Sequence, residues 1–303
     1  MKQIIYYILF FSLIVLLGCQ CKKEEKKSNN LDFEETKREQ LENREQPGQI
    51  YYRFPSAKEM LGYIQTNKVL FRTDLTNNPE RTRLYNDSKS QMLNLGVYLA
   101  DLSYLILFNK PNRTHDYFDA SFKLATDLRL SIPDKEKILQ RLSDNMNDND
   151  SLINISEEYH THIIDYLIST GKEKTLAVIS AGSYIEGLYI ATKLLNYQSG
   201  NKNAIQKIAE QKYAFKNLSN FVQKYNQDIN AAYSLEYLKP INQFLSSLPV
   251  IKDSTKVTRT GNNKLTFEGG ERVTINEEQF KELEKIVSDI RNKIVQNKEI
   301  END

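Results

Sequence analysis

The stretch from Met92 to Phe108 restricts the fold more than any other part of the chain. Its apolar residues cover almost every side of a helical wheel, which is typical of a helix enclosed by other helices. A second enclosed helix is predicted over residues 172–197. Two enclosed helices require others around them, so we predict a mainly α fold, a multi-helix bundle.

The two enclosed helices share a sequence pattern at an offset of 86 residues. Gly96, Tyr98, Leu99 and Leu102 in the first correspond to Gly182, Tyr184, Ile185 and Leu188 in the second. One interpretation is a degenerate duplication, in which two helical units pack about a pseudo-twofold axis. The alternative is that two buried helices independently have glycine, tyrosine and leucine at these spacings. In either case we expect the two glycines to permit close helix contact rather than ligand contact.

The polar residues of the enclosed helices are the candidate site residues. Asn94 and Asp101 stand seven positions apart, which places both on roughly one helical face. Glu186 occupies nearly the position in the second helix that Asp101 has in the first, one residue out of register. A carboxylate in such surroundings has to find hydrogen-bond partners or take up a proton.

Paired carboxylates can divide the roles of acid and base, so Asp101 and Glu186 are the candidate catalytic residues, and they suggest a hydrolase. The alternative is that each is a structural carboxylate whose hydrogen bonds fix the core. Tyrosine hydroxyls are suitable partners for such carboxylates. The candidate pocket around the pair consists of Asn94, Tyr98, Tyr104, Tyr184 and Tyr189.

The histidine positions argue against a metal centre. Glu157-Glu158-Tyr159-His160 contains the Glu-x-x-His spacing of di-iron bundles, but those sites need two copies and we find one. His160 and His162 lie about 200 degrees apart on a helix, so they cannot share an ion from there. The remaining histidine is His115. No phosphate loop, dinucleotide fingerprint or Gly-x-Ser-x-Gly motif is present, and we predict neither a metal nor a cofactor.

The amino-acid composition excludes several partners and chemistries. Lys and Arg total 41 and Asp and Glu total 40, so no excess charge favours nucleic acid or an anionic membrane surface as a partner. Both cysteines, Cys19 and Cys21, are near the start of the chain, which leaves no thiol for a disulfide framework, a zinc site or a nucleophile in the rest. Tryptophan is absent, which weakens the case for a carbohydrate-binding cleft.

The first residues form a signal-peptide pattern that ends in a cysteine. Lys2 precedes an apolar run over residues 4–17, which is shorter than the roughly 20 residues of a membrane-spanning helix. The run ends in Leu16-Leu17-Gly18-Cys19, which resembles the lipobox of bacterial lipoproteins, where cleavage precedes a cysteine that is then acylated. We therefore predict a signal peptide over residues 1–18 and a lipid anchor on Cys19. The alternatives are an uncleaved anchor and an ordinary secretory signal.

Residues 19–49 are predicted to combine the lipidated cysteine with a flexible, charged tether. From Lys22 to Gly48 nearly every residue is charged or carries an amide, so apolar burial cannot offset the entropy of ordering. Gln20 favours the outer membrane, because in enteric bacteria an aspartate at this position retains lipoproteins in the inner membrane. Lys22-Lys23-Glu24-Glu25 is similar to the export signal of surface lipoproteins in the Bacteroidetes, or is a plain solvated charge cluster. We predict attachment to the outer membrane, at its periplasmic face or at the cell surface.

The pattern changes between the predicted helical domain, residues 50–249, and the remainder, residues 250–303. Two-residue alternation on both sides of Gly261-Asn262-Asn263 predicts a β-hairpin. Asn276 begins a predicted capping box for a final amphipathic helix that ends near Gln296. The one apolar face of this helix has to dock on the body or pair with another chain, and docking is the simpler expectation.

Four stretches carry a resemblance to a known family. They are Ser88 to Tyr104, Ile179 to Tyr189, Phe54-Pro55-Ser56 and Gln211 to Leu218, so the resemblance covers about residues 50–250. The family is one of α-helical lipoproteins from Bacteroidetes without an assigned function. The resemblance implies the compartment and a helical fold, and it carries over no catalytic residue.

Three functions are compatible with these features. The leading hypothesis is a noncatalytic lipoprotein, held at the outer membrane by its lipid, whose helical body binds an envelope protein or a small ligand. The second is a hydrolase that uses Asp101 and Glu186 in a tyrosine-lined cavity. The third is a nutrient-capture lipoprotein beside an outer-membrane transporter, although such helical-repeat proteins are usually longer and richer in exposed tryptophan.

Overall fold

The computed structural model describes residues 60–62, 64, 69–131, 135–197, 200–260 and 264–298. Within the two strands, it describes side chains for residues 250–252 and 271–273. The predicted signal peptide, the lipidation site Cys19 and the tether lie outside the described residues, and so does Ser56, which the sequence predicts as the cap of the first helix of the body.

The described part of the chain is mainly helical, with a small two-stranded sheet, which confirms the predicted fold class. Residues 60–62 and 64 are helical, and short 3-10 helices follow at Thr73–Leu75 and Pro79–Leu84. The longer elements are α1 (Ser88–Leu107), α2 (Pro111–Asp127), α3 (Lys135–Asp144), α4 (Asn149–Ser169), α5 (Glu173–Leu194), α6 (Lys202–Gln223), α7 (Ile229–Ser247), β1 (Val250–Thr260), β2 (Lys264–Val273) and α8 (Glu277–Val295). Among the described residues, no helix has both the length and the apolar character that crossing a bilayer requires.

The start of α2 differs from the prediction. The sequence predicts a helix from His115 with Thr114 as its cap, but α2 begins at Pro111. Proline is suited to a first helical position, because the N–H group it lacks has no partner within the helix there. The Thr114 hydroxyl instead donates a hydrogen bond to the carbonyl oxygen of Lys110 at 3.1 Å.

Pro240 lies inside α7 without ending it. The sequence predicts a kink or break near Tyr237, whereas α7 continues from Ile229 to Ser247. Proline removes one hydrogen bond within the helix. Leu238 and Ile241 on either side of it are completely buried, and we attribute the continuity of the helix to this packing.

The two enclosed helices, α1 and α5, touch each other through their backbones. A Cβ atom added at Gly96 would lie 2.0 Å from the carbonyl oxygen of Ile179, and one added at Gly182 would lie 2.0 Å from that of Leu93. Only glycine permits so close an approach. Leu93 precedes Gly96 by as many residues as Ile179 precedes Gly182, so the two contacts are reciprocal. The crossing of α1 and α5 therefore has local pseudo-twofold symmetry at the offset found in the sequence.

The α1 and α5 helices run in the same direction. The backbone N–H of Arg72 donates a hydrogen bond to the Tyr104 hydroxyl at 2.8 Å, and the Arg72 guanidinium donates one to the carbonyl oxygen of Lys193 at 3.3 Å. Tyr104 and Lys193 belong to the last turns of α1 and α5, so these ends lie together. The other helices surround this pair, with α2 and α4 against α1, and α6, α7 and α8 against α5.

The β-hairpin is longer than predicted. Antiparallel pairing extends from Val250 opposite Val273 to Thr260 opposite Lys264, with an irregularity between Asp253 and Lys256. The extended segment that the sequence predicts as separate, beginning at Arg272, is the end of β2. At its base, β2 also contacts α6.

The final helix, α8, packs on the body of the protein. It contacts α5, α7 and α1, and the predicted capping box of Asn276 and Gln279 is present. The buried residues of this helix are Phe280, Leu283, Val287, Ile290, Arg291, Ile294 and Val295. The helix therefore belongs to the same compact unit as the helices before it.

Candidate functional site

Asp101, Glu186 and Arg291 meet in the core, and we call them the carboxylate–arginine cluster. Asp101 and Glu186 are 0% exposed and Arg291 is 6% exposed. The Arg291 guanidinium binds Glu186 with two parallel hydrogen bonds, from Nε to Oε2 at 2.8 Å and from Nη2 to Oε1 at 2.8 Å. This bidentate geometry is the strongest form of an ion pair between arginine and a carboxylate.

Arg291 has two further contacts that fix its position. Its Nη2 also donates a hydrogen bond to the carbonyl oxygen of Leu75 at 3.0 Å, and its guanidinium lies over the Tyr189 ring at 4.6 Å from the ring centre. The ring face attracts the guanidinium by a cation–π interaction. Arg291 thus joins α8 to α5 and to the 3-10 segment at Leu75.

Fewer hydrogen-bond donors are directed at the Asp101 carboxyl group than at that of Glu186. Asp101 Oδ2 accepts a hydrogen bond from the backbone N–H of Asn77 at 3.0 Å, whereas its Oδ1 has no hydrogen-bond partner among the described residues. Glu186 and Arg291 are the charged side chains that act on the Asp101 carboxyl group. Burial raises the pKa of Asp101 well above its ordinary value, the negative charge of Glu186 raises it further, and Arg291 opposes the shift.

A second group of hydrogen bonds connects the 3-10 segment to α1 and α8. Asn77 Nδ2 donates to the Tyr85 hydroxyl at 2.9 Å and, with a longer contact of 3.4 Å, to Asn94 Oδ1. The Tyr85 hydroxyl donates to the carbonyl oxygen of Val295 at 3.0 Å. Asn94 Nδ2 donates to the carbonyl oxygen of Ile294 at 3.2 Å. These buried amides and hydroxyls connect the last turn of α8 to Tyr85, directly after the 3-10 segment, and to α1.

The residues of the predicted pocket are part of the packed core. Asn94, Tyr98 and Tyr104 are completely buried, and Tyr184 and Tyr189 are nearly so. The Tyr98 hydroxyl donates to the carbonyl oxygen of Asn78 at 2.9 Å, and the Tyr104 hydroxyl bonds the Arg72 backbone. Tyr184 packs against the Phe215 ring at 5.3 Å, and its hydroxyl has no partner among the described residues. These tyrosines fill space between helices, as the close packing of a protein interior requires.

An open cleft lies elsewhere, between α3 and α4. It has a volume of about 560 Å³ and is lined mainly by polar residues, which include Arg141, Glu158, His162 and Asp165. Arg141 already forms an ion pair with Glu158 at 2.6 Å. Asp101 and Glu186 do not line this cleft. Among the described residues, no group of three or more histidine, cysteine, aspartate or glutamate side chains is arranged to hold a metal ion.

Arg291 and Asn77 are the members of the site that the sequence reasoning missed. For Arg291 a signal existed: it stands four positions after Val287 and three before Ile294, so a charge interrupts the apolar face of the final helix. A charge on a buried face predicts a buried partner of opposite charge. Asn77 offers no such signal, because the loop sequence Asn77-Asn78-Pro79 reads as a turn.

Comparisons with protein-family models, with curated proteins and with solved structures found no match for this chain. The resemblance to α-helical lipoproteins of Bacteroidetes stays a prediction from the sequence.

Proposed function

We propose that the chain is an outer-membrane lipoprotein, anchored through Cys19, whose helical body is a noncatalytic binding or structural module. The anchor is argued from the lipobox at the end of the signal-peptide pattern. One observation supports the noncatalytic role: Asp101 and Glu186 are completely enclosed, and Arg291 binds Glu186 on both oxygens.

A hydrolase would need these carboxyl groups within hydrogen-bond reach of a substrate or of an attacking water. In the structure, Glu186 uses its oxygens to hold α8 in place, and Asp101 contacts the loop at Asn77. A charged pair in such a position fixes the relative placement of the segments it joins. The cluster therefore supports a structural role for both carboxylates, in a body that we propose binds a partner or a small ligand.

The anchor is tested by metabolic labelling with palmitate in a bacterium that expresses the full-length chain. We expect label in the wild type and in Cys21→Ala, which is the matched control because its cysteine lies two positions further on. We expect none in Cys19→Ala. An unlabelled wild type, or equal labelling after Cys19→Ala, would contradict the proposal. Protease treatment of intact labelled cells then distinguishes the periplasmic face from the cell surface.

The noncatalytic role is tested by complementation. A strain that lacks the protein receives the wild type or Asp101→Asn, and the amount of folded protein is equalised by immunoblot and protease resistance. If the carboxylates are structural, an equally abundant Asp101→Asn chain restores whatever growth or envelope defect the deletion causes. A folded and equally abundant chain that restores nothing would support the hydrolase instead.

A further inference from the structure

The charges of the buried cluster do not balance when every group is ionised. Asp101 and Glu186 would then contribute two negative charges and Arg291 one positive charge, inside a region from which solvent is excluded. An unpaired charge in the interior is costly, and the usual outcome is that the group becomes neutral. Glu186 is matched by Arg291 through two hydrogen bonds, so the excess negative charge belongs to Asp101.

The hydrogen-bond geometry identifies where a proton fits. Asp101 Oδ2 is occupied by the Asn77 N–H, and Oδ1 is the oxygen without a partner. The neighbouring group is the Glu186 carboxyl, which in its ionised form offers acceptors only. Two neighbouring ionised carboxylates repel each other, whereas a proton on one of them allows a hydrogen bond between them.

We infer that Asp101 is held as a neutral carboxylic acid whose Oδ1–H donates a hydrogen bond to the Glu186 carboxylate. The cluster then has no net charge, and every oxygen of Glu186 and Asp101 has a partner. This shared proton is part of what keeps Arg291, and with it α8, in the core. The docking of α8 on the body thus depends in part on a bound proton.

Among the described residues, no other group that faces Asp101 from a neighbouring element compensates its negative charge. The groups that face it are Glu186 from α5, Arg291 from α8, Tyr98 and Tyr104 from α1, and Tyr117 from α2. Burial raises the pKa of all three tyrosine hydroxyls, that of Tyr117 to about 12, so they are neutral at physiological pH. Arg291 is the one positive charge among these groups, and Glu186 already uses it.

The sign of the pH dependence follows from linkage. Because the pKa of Asp101 is raised in the folded state, the folded chain binds this proton more tightly than the unfolded chain does. The stabilising contribution is fully present below the unfolded pKa of about 3.9 and is lost progressively as the pH rises towards the folded value. Within this interval the equilibrium constant for unfolding rises about tenfold per pH unit through Asp101 alone.

The test compares the urea unfolding of the wild type and Asp101→Asn between pH 5 and pH 9, using the full mature chain in detergent and far-ultraviolet circular dichroism. Asparagine reproduces the shape of the protonated acid without its titration. We expect the unfolding constant of the wild type, divided by that of Asp101→Asn, to rise about tenfold per pH unit. The rise should cover the pH range in which Asp101 is protonated only in the folded state, because the wild type loses stability there. The control Asp116→Asn removes an exposed carboxylate outside the cluster and should follow the wild type. Parallel curves for the wild type and Asp101→Asn would overturn the inference.

A second measurement does not depend on the folding of Asp101→Asn. Infrared spectra of wild-type chain labelled with ¹³C at aspartate carboxyl groups should contain the C=O stretch of one protonated acid at pH 7, and this band should decrease at high pH. In Glu186→Gln the neighbouring charge is gone and Asp101 can pair with Arg291, so the band should weaken at pH 7. If no such band exists at pH 7, the inference is wrong. A stability that then depends on the sodium concentration at constant ionic strength would show that a bound cation neutralises the cluster instead.

Discussion

Replacement of Gly96 by alanine tests whether the contact between α1 and α5 organises the fold. The added Cβ would lie 2.0 Å from the carbonyl oxygen of Ile179, whereas real Cβ atoms essentially never lie within 3.0 Å of a heavy atom outside their own stretch of chain. The helices must therefore separate by about 1 Å, a gap that forfeits a quarter to a half of the dispersion energy of each contact along the seam. The obstacle is backbone rather than a flexible side chain, so no local rotation relieves it.

The magnitude follows from two opposing terms. Overpacking of this kind costs about 3 kcal/mol, at the upper end of the usual range. Alanine in place of glycine within a helix returns about 1 kcal/mol through its higher helix propensity. We therefore expect Gly96→Ala to lower the free energy of unfolding by about 2 kcal/mol. Gly182→Ala should cost the same within about 0.5 kcal/mol, because its contact with Leu93 is the reciprocal one.

The assay is urea unfolding of the full mature chain, followed by circular dichroism at 222 nm. Gly62→Ala is the matched control, because Gly62 is also helical and a Cβ there meets no atom within 4 Å. The control should be neutral or slightly stabilising. The double variant Gly96→Ala with Gly182→Ala should cost less than the sum of the single variants, because one separation accommodates both methyl groups. A Gly96→Ala chain as stable as Gly62→Ala would refute the argument.

Two further predictions concern polar groups in the core. Arg291→Ala leaves the Glu186 carboxylate buried and unpaired, so it should cost about 3–5 kcal/mol, and Arg291→Met with Glu186→Leu should recover most of this in the same unfolding assay. Tyr85→Phe removes hydrogen bonds to Asn77 and Val295 and should cost about 1–3 kcal/mol, whereas Tyr184→Phe removes a hydroxyl without a described partner and should change stability by less than about 0.5 kcal/mol. Equal costs for the two tyrosines would contradict the assigned network.

Local patterns in the sequence predict most of the fold. The all-round apolar character of Met92 to Phe108 indicates an enclosed helix, and that stretch forms most of α1. The capping box at Asn276 predicts the start of α8 correctly, because such a motif acts within one helical turn. Helix boundaries near proline are harder to predict from the sequence. Pro111 and Pro240 are each compatible with more than one placement in a helix, and tertiary packing selects between them.

The candidate site could be predicted only in part. The pattern shared by the two enclosed helices places Asp101 and Glu186 at matching levels, and the structure brings them together. The partner of Glu186 is Arg291, 105 residues away in the sequence, and only the docking of α8 brings these side chains into contact. Periodicity describes one helix at a time, so it indicates that Arg291 is unusual but not which carboxylate it binds.

The position of Arg291 near the end of the described chain has a consequence for biosynthesis. A ribosome makes α1 and α5 long before it makes the guanidinium that neutralises Glu186, so the centre of the molecule stays incomplete until α8 has been translated. A message truncated before codon 291 specifies a product with an unmatched charge at its middle. We expect quality-control proteases to remove such fragments, so the chains that accumulate in cells should be those that extend beyond Arg291.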